Sequence, residues 1–369
     1  MKKLVLQGTP REIGVQHGQQ GKEEVLLSLE LYERLFYEQA RISWADARQT
    51  AKLFLPAIES GYADFMEEMA GVAYGAGVDF EDILTLHARS EIALTQGAVG
   101  EVEDGCSSIA ILPPVSRHTI LAQNWDFYGF FKRHLLFLHI ERHGKPAIDM
   151  VTEAGMIGKI GMNACGVGVC LNALRAREAH PGKLPVHLGL RAVLDSPDIE
   201  HALAEVGGNQ LATAANFLMA ESHWETGAKR AVNLEASPAG SSRIESTDGA
   251  IPHTNHFLSN DLIEKIGKDN LIIPEHSYSR LATMKEYLAS VKERSAGERL
   301  DETAIRELLS DHTCYPDSIC RHTDDPLHMS VTQFAVIMNL DKRTMKVAEG
   351  TPCSVLFELM NPNMSKQRS

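Results

Sequence analysis

The chain has 369 residues, 44% of them hydrophobic, and carries 49 acidic against 36 basic residues, for a net charge of -13. This length and composition allow a large buried core, so we expect a soluble globular protein. The acidic balance, without a dense Lys/Arg tract, argues against nucleic acid and against an anionic membrane surface as partners. The N-terminus has too short an apolar run for a signal peptide or membrane anchor, which predicts a cytoplasmic protein.

The first quarter of the chain is predicted to be helical, from Ile13 to about Leu94. Apolar residues recur there at the spacing that places them on one face of a helix, and Asp79 precedes a run that it could cap. A glycine-rich, acidic stretch over residues 97–105 ends this region. The pattern therefore predicts a helical layer, followed by a loop.

Short β-strands are predicted after residue 105. They cover residues 108–112, 119–123, 135–140, 147–151 and 166–171, then 215–220, 231–235 and 242–246, and finally 334–340, 344–349 and 354–359. Helices are predicted over residues 186–194, 199–206 and 277–309, whereas 260–275 is expected to be a loop with at most a short helix.

The order of these elements predicts an α+β fold. We expect the first group of strands to form one antiparallel sheet that begins at residue 106, and the strands from residue 215 to begin a second one. Helices before, between and after the strands predict a four-layer α/β/β/α sandwich, because each sheet needs a cover on its outer face. No linker separates independent domains.

Residues 104–108, Asp-Gly-Cys-Ser-Ser, place a cysteine where the loop meets the first strand. Gly105 has no Cβ, so its carbonyl can approach the thiol of Cys106, which could then attack the peptide bond in front of it. Hydrolysis of the thioester would leave chains 1–105 and 106–369. The new α-amine of Cys106, with an ordinary pKa of about 7.7 to 8.0, could act as base for its own thiol. A small buried hydrophobe is the alternative role for such a cysteine.

The cysteine and histidine spacing predicts no metal site. None of the six cysteines forms a Cys-x-x-Cys pair; Cys314 and Cys320 flank a turn, and Cys353 is expected in the last strand. His253 and His256 are three residues apart, with no carboxylate or cysteine beside them in the sequence. We therefore expect no disulfide framework, no zinc and no other cofactor.

Polar residues interrupt apolar patterns in three further segments. These are residues 123–127 (Gln-Asn-Trp-Asp-Phe), 253–256 (His-Thr-Asn-His) and 318–321 (Ser-Ile-Cys-Arg). Together with the 104–108 motif, with residues 13–18 and with residues 152–161, they closely resemble the acyl-coenzyme A:isopenicillin N acyltransferase family of self-processing cysteine enzymes. The matching motifs run in order from about residue 7 to residue 359.

The resemblance implies an N-terminal nucleophile hydrolase fold, cleavage of the Gly105–Cys106 bond into two subunits, and acyl transfer or hydrolysis at an amide through a thioester on Cys106. The implied partners are a small-molecule acyl amide or acyl-CoA thioester and the two fragments of the chain. The oligomeric state is left open.

The resemblance also assigns roles to other residues. Asp126 matches the family's acid, where a carboxylate can orient the α-ammonium. Asn255 matches the asparagine whose amide stabilises the tetrahedral intermediate. Arg321 matches an arginine that can hold Asp126 or a substrate carboxylate by paired hydrogen bonds. Taken alone, the three residues could instead be a strand-end aspartate, a turn former and a surface cation.

Two further assignments concern substrate binding: Asn172, by similarity to the related bile salt and penicillin V hydrolases, and Ser318 of the 318–321 motif. Those hydrolases carry an arginine three residues before the aspartate, and here the residue is Gln123, which argues against bile salt hydrolysis. The open alternatives are a true acyl-CoA:6-aminopenicillanic acid acyltransferase, a processed but catalytically silent binding protein, and a metal-dependent hydrolase that uses the histidines.

Overall fold

The computed structural model describes residues 1–95, 105–131, 133–208, 210–294, 299–324 and 330–361. Most of the glycine-rich, acidic stretch, including Asp104 of the 104–108 motif, lies outside these residues. No helix among the described residues is long and apolar enough to cross a membrane.

The strands are β1 (Lys2–Gln7), β2 (Ser107–Ile111), β3 (Ile120–Tyr128), β4 (Leu135–Glu141), β5 (Ile148–Glu153), β6 (Ile160–Asn163), β7 (Val167–Ala173), β8 (Ala215–Ser222), β9 (Lys229–Ser237), β10 (Gly240–Glu245), β11 (Ala250–His253), β12 (Ser330–Asn339), β13 (Thr344–Glu349) and β14 (Glu358–Leu359). The α-helices are α1 (Pro10–Gln20), α2 (Lys22–Ala40), α3 (Trp44–Lys52), α4 (Leu55–Glu59), α5 (Ala63–Ala76), α6 (Phe80–His87), α7 (Arg89–Thr95), α8 (Val186–Leu194), α9 (Ile199–Val206), α10 (Asn260–Ile266), α11 (His276–Arg294) and α12 (Glu302–Leu309). One turn of 3-10 helix covers Lys268–Asn270.

The strands form two sheets. The larger has eight strands in the order β1-β4-β5-β6-β7-β8-β9-β10, and the smaller has six in the order β11-β2-β3-β12-β13-β14. β1 runs parallel to β4, whereas β4 to β10 form an antiparallel meander. In the smaller sheet, β2 pairs with β3, and β3 pairs with β12, which lies about 200 residues further along the chain.

The smaller sheet is covered on both faces. Ile109 and Ile111 of β2 point to a core shared with α11 and α12, whereas Ala110 of the same strand belongs to the core between the two sheets. This alternation is the expected result of the two-residue period of a strand. Helices α1, α8 and α9 pack on the larger sheet. The layers are therefore helix, sheet, sheet and helix, which confirms the predicted α+β four-layer sandwich.

The first family motif, residues 13–18, joins two helices at backbone contact. A Cβ added to Gly14 of α1 would lie 2.0 Å from the carbonyl oxygen of Glu68 on α5, so only glycine permits this approach. His17 of the same motif accepts a hydrogen bond from the backbone N–H of Gly155 at 3.1 Å. Burial lowers the pKa of His17 to about 3, which keeps the ring neutral. The N-terminal helices are thereby tied to the 152–161 motif.

Several predictions about the elements need correction. The segment before residue 105 is not only helical, since β1 was missed, as were β6 and β11. The predicted division of strands between the sheets is wrong: β4 to β7 belong with β8 to β10, and the sheet of β2 and β3 is completed by β11 and by strands near the C-terminus. The stretch over residues 277–309, predicted to be helical, contains two helices, α11 and α12.

Candidate active site

Cys106 lies immediately before β2, at the predicted junction of loop and strand, and its side chain is buried. Its Sγ lies 3.9 Å from the backbone oxygen of Asp126 on β3. Its carbonyl oxygen accepts hydrogen bonds from Arg280 at 2.7 Å and from Asn172 at 3.3 Å. Because α11 and β7 supply these two donors, the cysteine is held where the two sheets meet.

Gly105 packs tightly against two predicted site residues. A Cβ added to it would lie 2.5 Å from Cδ of Arg321 and 2.7 Å from Oδ2 of Asp126. Side chains do not tolerate such distances, and both neighbours are fully buried. A larger residue here would displace Arg321 and Asp126, and the Gly105–Cys106 peptide is brought beside the carboxylate and the guanidinium.

Asp126 lies inside β3 and is fully buried, so it is not a strand-end aspartate in a turn. Its Oδ1 accepts a hydrogen bond of 2.7 Å from the hydroxyl of Thr332 on β12. The same hydroxyl oxygen accepts the backbone N–H of Arg321 at 3.0 Å. Thr332 therefore links the carboxylate to the segment that carries the arginine.

Asn255 follows β11 and is buried. Its Nδ2 donates to the carbonyl of Ala173 at 3.1 Å, and its Oδ1 accepts from Arg280 at 2.8 Å. Its backbone N–H donates to the hydroxyl of Ser277 at 2.7 Å. These bonds orient the amide with its nitrogen toward Ala173, which lines the pocket described below.

Arg321 is fully buried, which excludes the surface-cation alternative. Its Nη2 donates to Asp317 at 3.1 Å, and its Nη1 lies 3.1 Å from Nε2 of His276. Burial, followed by the charges of Arg280 and Arg321, lowers the pKa of His276 to about 3, so this ring is neutral between the two guanidinium groups.

The two residues predicted to bind substrate, Asn172 and Ser318, form hydrogen bonds within the protein. Asn172 accepts a hydrogen bond from the hydroxyl of Ser108 at 2.6 Å and donates to the carbonyl of Cys106, so it supports the backbone of Cys106 from the larger sheet. The hydroxyl of Ser318 donates to the carbonyl of Cys320 at 2.6 Å, within the segment that carries Arg321. A role for either residue in substrate binding stays a prediction.

Arg280 was missed by the sequence analysis. This buried residue of α11 donates to the carbonyl of Cys106, to Ser107 at 3.0 Å and to Asn255. Burial lowers its pKa to about 10, with a further lowering by Arg321 and an opposing contribution from Asp126. Its helix mixes charged and apolar residues, and no local signal separates it from the exposed cations.

An apolar pocket opens beside Cys106. Its walls are helices α2 and α7 on one side and strands β3, β7 and β8 on the other. The apolar lining includes Tyr32, Leu35, Phe36, Trp125, Phe127, Leu171 and Val186. Gln39, Arg89 and Arg175 are the larger polar residues of this lining. Such a pocket, with a thiol in its wall, suits a largely apolar group held next to the sulfur.

A buried charge cluster lies behind this pocket. Lys159 of the 152–161 motif donates to Glu153 at 2.6 Å, and its Nζ lies 3.9 Å from the centre of the Trp125 ring. Arg89 and Tyr32 also donate to Glu153. Burial alone would raise the pKa of the Glu153 carboxyl, but the charges of Arg89 and Lys159 hold it well below its ordinary value.

The two histidines of the 253–256 motif have different neighbours in the structure. A carboxylate does lie beside His253, because Oε1 of Glu235 is 2.8 Å from its Nε2. His256 contacts the hydroxyl of Ser277 at 2.7 Å instead. Gln123, which replaces the arginine of the related hydrolases, pairs through its side chain with both backbone groups of Leu171. It therefore joins the two sheets.

Comparisons with known proteins agree with the motifs. A family model described as acyl-coenzyme A:6-aminopenicillanic acid acyl-transferase matches residues 115–353. The chain is similar to a protein of Emericella nidulans named acyl-coenzyme A:6-aminopenicillanic-acid-acyltransferase 40 kDa form. The two are 31% identical over 350 residues, which cover 95% of this chain and 92% of the relative.

Two solved structures are more distant. An N-acylethanolamine-hydrolyzing acid amidase ortholog of Caenorhabditis elegans has a TM-score of 0.44 and 17% identity, over 64% of this chain and 93% of that one. A penicillin V acylase of Agrobacterium tumefaciens has a TM-score of 0.44 and 12% identity, over 72% of this chain and 89% of that one. At this level of similarity neither bears on function. From the family model and the Emericella nidulans relative, the chain belongs to the acyl-coenzyme A:6-aminopenicillanic acid acyl-transferase family of enzymes.

Proposed function

We propose that the chain is a self-processing cysteine enzyme that cuts itself between Gly105 and Cys106 and then transfers or hydrolyses acyl groups of linear amides through a thioester on Cys106. The observation that carries the proposal is the position of Cys106, which lines an apolar pocket while its backbone is held by Arg280 and Asn172. A nucleophile needs both a site for the substrate and a fixed geometry.

Self-cleavage would start with attack of the Cys106 sulfur on the carbonyl carbon of Gly105. The carbon–sulfur bond forms, the carbon–nitrogen bond breaks, and the departing nitrogen takes the thiol proton to become the α-amine of Cys106. Water then hydrolyses the thioester, which leaves a carboxylate on Gly105 and restores the thiol. The close packing of Gly105 against Asp126 and Arg321 supports this step, because it limits the conformations that the reacting peptide can adopt.

In the mature enzyme, the α-amine of Cys106 would accept the thiol proton and the thiolate would attack the acyl carbonyl. Nδ2 of Asn255 carries two hydrogens, of which one is donated to Ala173; the second would donate to the oxyanion. The α-ammonium would protonate the leaving amine, and Asp126 would hold that ammonium in place. Water or a second amine would finally attack the thioester and restore the thiol.

The lining of the pocket indicates the class of acyl group. Aromatic and aliphatic side chains of Phe36, Leu35, Trp125 and Phe127 would enclose the chain next to the reacting carbonyl. An uncharged aliphatic or arylacetyl group would gain free energy from burial there, whereas a charged one would lose its hydration. Arg89 and Arg175 also line the pocket. The guanidinium of Arg175 could bind an anionic group on the leaving amine.

One alternative has an observation in its favour. The Emericella nidulans relative is named for acyl-coenzyme A and 6-aminopenicillanic acid, so this chain could use an acyl-CoA thioester as donor and 6-aminopenicillanic acid as acceptor. The chemistry on Cys106 would be the same. Comparison of acyl-CoA donors with simple acyl amides, each with and without 6-aminopenicillanic acid, separates acyl transfer from hydrolysis.

The proposal is tested first by intact mass. Wild-type protein is expected as two fragments that end and begin at Gly105 and Cys106, whereas Cys106→Ala is expected as one intact chain. Cys165→Ser, which removes a partly buried thiol elsewhere in the chain, should still be cleaved. Wild-type protein found as one intact chain, together with turnover of acyl amides by Cys106→Ala, would refute the proposal.

The second test separates an enzyme from a silent binding protein. A panel of acyl amides that includes penicillins is offered to the cleaved protein, and release of the amine is measured. Fast alkylation of Cys106 in cleaved protein only, together with turnover, is the expected result, because the reactive thiolate needs the new α-amine. Cleaved protein without turnover on acyl amides or acyl-CoA donors would favour the binding role.

A further inference from the structure

Two histidines and two cysteines converge where the segment between α12 and β12 meets the turn after β13. The ring nitrogens of His312 and His322 and the sulfurs of Cys320 and Cys353 all lie within 4.8 Å of one another. His312 and Cys353 are exposed, His322 is half-buried and Cys320 is buried. Cys353 lies in a turn between β13 and β14, not in the last strand. The proposed acyl-transfer chemistry uses none of the four.

The distances from His322 to the other three ligand atoms are close to those of a tetrahedral metal site. Nε2 of His322 lies 3.1 Å from Nε2 of His312, 3.6 Å from Sγ of Cys320 and 3.3 Å from Sγ of Cys353. Ligand atoms around zinc, with Zn–N of about 2.0 Å and Zn–S of about 2.3 Å, lie roughly 3.3 to 3.8 Å apart. One ion at the centre would reach all four atoms after small movements of side chains.

Backbone hydrogen bonds fix the two loops that carry these ligands. The N–H of Cys320 donates to the carbonyl of Asp311 at 2.9 Å, which brings Cys320 next to His312. In the second loop, the N–H of Ser354 donates to the carbonyl of Thr351 at 3.0 Å, which forms the turn that presents Cys353. The ligands are thus placed by ordinary turns, and binding would not have to fold the segment.

We propose that His312, Cys320, His322 and Cys353 form a structural zinc site. Two thiolates and two neutral imidazoles are the donor set that zinc prefers, and four protein ligands leave no open position for water or substrate. Binding would release the two thiol protons, and the two thiolates would balance the charge of the ion. The ion would clamp the 311–322 segment to the turn after β13.

The sequence spacing predicted no metal site, and this proposal departs from that prediction. The ligands follow the pattern His-x₇-Cys-x-His-x₃₀-Cys, in which no pair has the usual zinc-finger spacing. Only the pairing of β12 with β13 brings the fourth ligand to the other three. Arg321 lies between two of the ligands, so the ion would also restrain the backbone of a residue that packs against Gly105.

The experiment measures metal in the full, purified chain. Protein expressed in zinc-supplemented medium and desalted under reducing conditions is analysed by inductively coupled plasma mass spectrometry. We expect about one zinc per wild-type chain, and an approximately tenfold loss in Cys353→Ser and in His312→Ala. Both residues are exposed, so these variants should fold. Cys314→Ser, an exposed cysteine outside the cluster, should keep its zinc.

A second measurement uses cobalt in place of zinc. Chelator-treated wild-type protein with added Co²⁺ should show the intense visible bands of a tetrahedral site and a thiolate-to-cobalt charge-transfer band, both lost in Cys353→Ser. Wild-type protein with less than about one tenth of a zinc per chain and no cobalt bands would overturn the proposal. So would a Cys320–Cys353 disulfide in metal-free protein, or variants that keep as much zinc as the wild type.

Discussion

Residues 1–95 and residues 105–361 both reach Cys106, but they contribute different physical environments. From the N-terminal side, α2 contributes the apolar Phe36 and Leu35 to the pocket wall, and α7 contributes Arg89. From the other side come three buried polar groups: Arg280 donates to Cys106 and Asn255, and Asp126 accepts a hydrogen bond from Thr332. Under the proposed function, α2 would form the apolar wall opposite Trp125 and Phe127 of β3, and the sheets together with α11 would place the reacting groups.

The difference suggests that chemistry and specificity can be changed separately. Each polar group on the catalytic side bonds to strand or helix backbone or to another member of the network, so replacement of one is expected to disturb turnover. The apolar side works through shape and burial, so its replacement is expected to change which acyl group is preferred. Four substitutions test this division.

The largest effect is expected for Asn255→Ala. Removal of a donor to the oxyanion should lower kcat by about 100- to 1000-fold in cleaved protein. Self-cleavage is followed by intact mass so that turnover is compared between fully processed samples. Asn260→Ala, at an exposed position nearby, is the control. Turnover within about threefold of the wild type in Asn255→Ala would remove the oxyanion role.

Gly105→Ala is expected to slow self-cleavage by about 100-fold, since small displacements of reacting groups have effects of that size. The added methyl group would meet Arg321 and Asp126, and both would have to move. The fraction of intact precursor against time, from mass spectrometry, is the measurement. Gly61→Ala is the control, because no atom lies within 4 Å of its added Cβ. Cleavage at the wild-type rate would show that close packing at Gly105 is unimportant.

Arg280→Lys keeps the charge but cannot bridge Cys106 and Asn255, because an ammonium lacks the planar fork of a guanidinium. Loss of one charged hydrogen bond corresponds to about 1.5 to 3 kcal/mol, or roughly a 10- to 100-fold lower kcat. As a positioning residue, Arg280 should affect kcat more than KM. Lys285→Arg, on an exposed site of the same helix, should leave both unchanged. An altered KM with normal kcat would instead indicate contact with substrate.

The smallest effect on chemistry is expected for Phe36→Leu on the apolar side. A larger pocket should shift the ratio of kcat/KM between a longer and a shorter acyl chain by about tenfold, with self-cleavage unchanged. Tyr37→Ala, which removes an exposed aromatic ring from the same helix, is the control. If Phe36→Leu slowed self-cleavage as much as Gly105→Ala, the proposed separation of chemistry from specificity would be wrong.

Local patterns predicted the elements that have strong periodicity. The helices over residues 186–194 and 199–206 agree with α8 and α9 to the residue, and Asp79 is the N-cap of α6, with a capping box to Asp82. Other elements lacked a signal. β6 has four residues and includes a glycine, and β11 contains Pro252, so neither resembles an ordinary strand.

The strand partners could not be read from the sequence at all. An alternating pattern identifies the buried face of a strand but not its neighbour, so the link between β3 and β12 is invisible before folding. Arg280 was missed for a similar reason. Its neighbours on the helix are ordinary, and only the packing of α11 beside β11 brings its guanidinium to Cys106 and Asn255.

The sequence by itself determined the layered α+β architecture, the family, and the position of Cys106 at the start of a strand, because these depend on periodicity and on short contiguous motifs. Tertiary structure alone decided which strands share a sheet and which residues line the pocket. It also decided that Arg280 contacts Cys106 and Asn255, and that His312, Cys320, His322 and Cys353 lie together. Such contacts join residues far apart in the chain, and they exist only after burial of the two cores has brought the sheets and helices together.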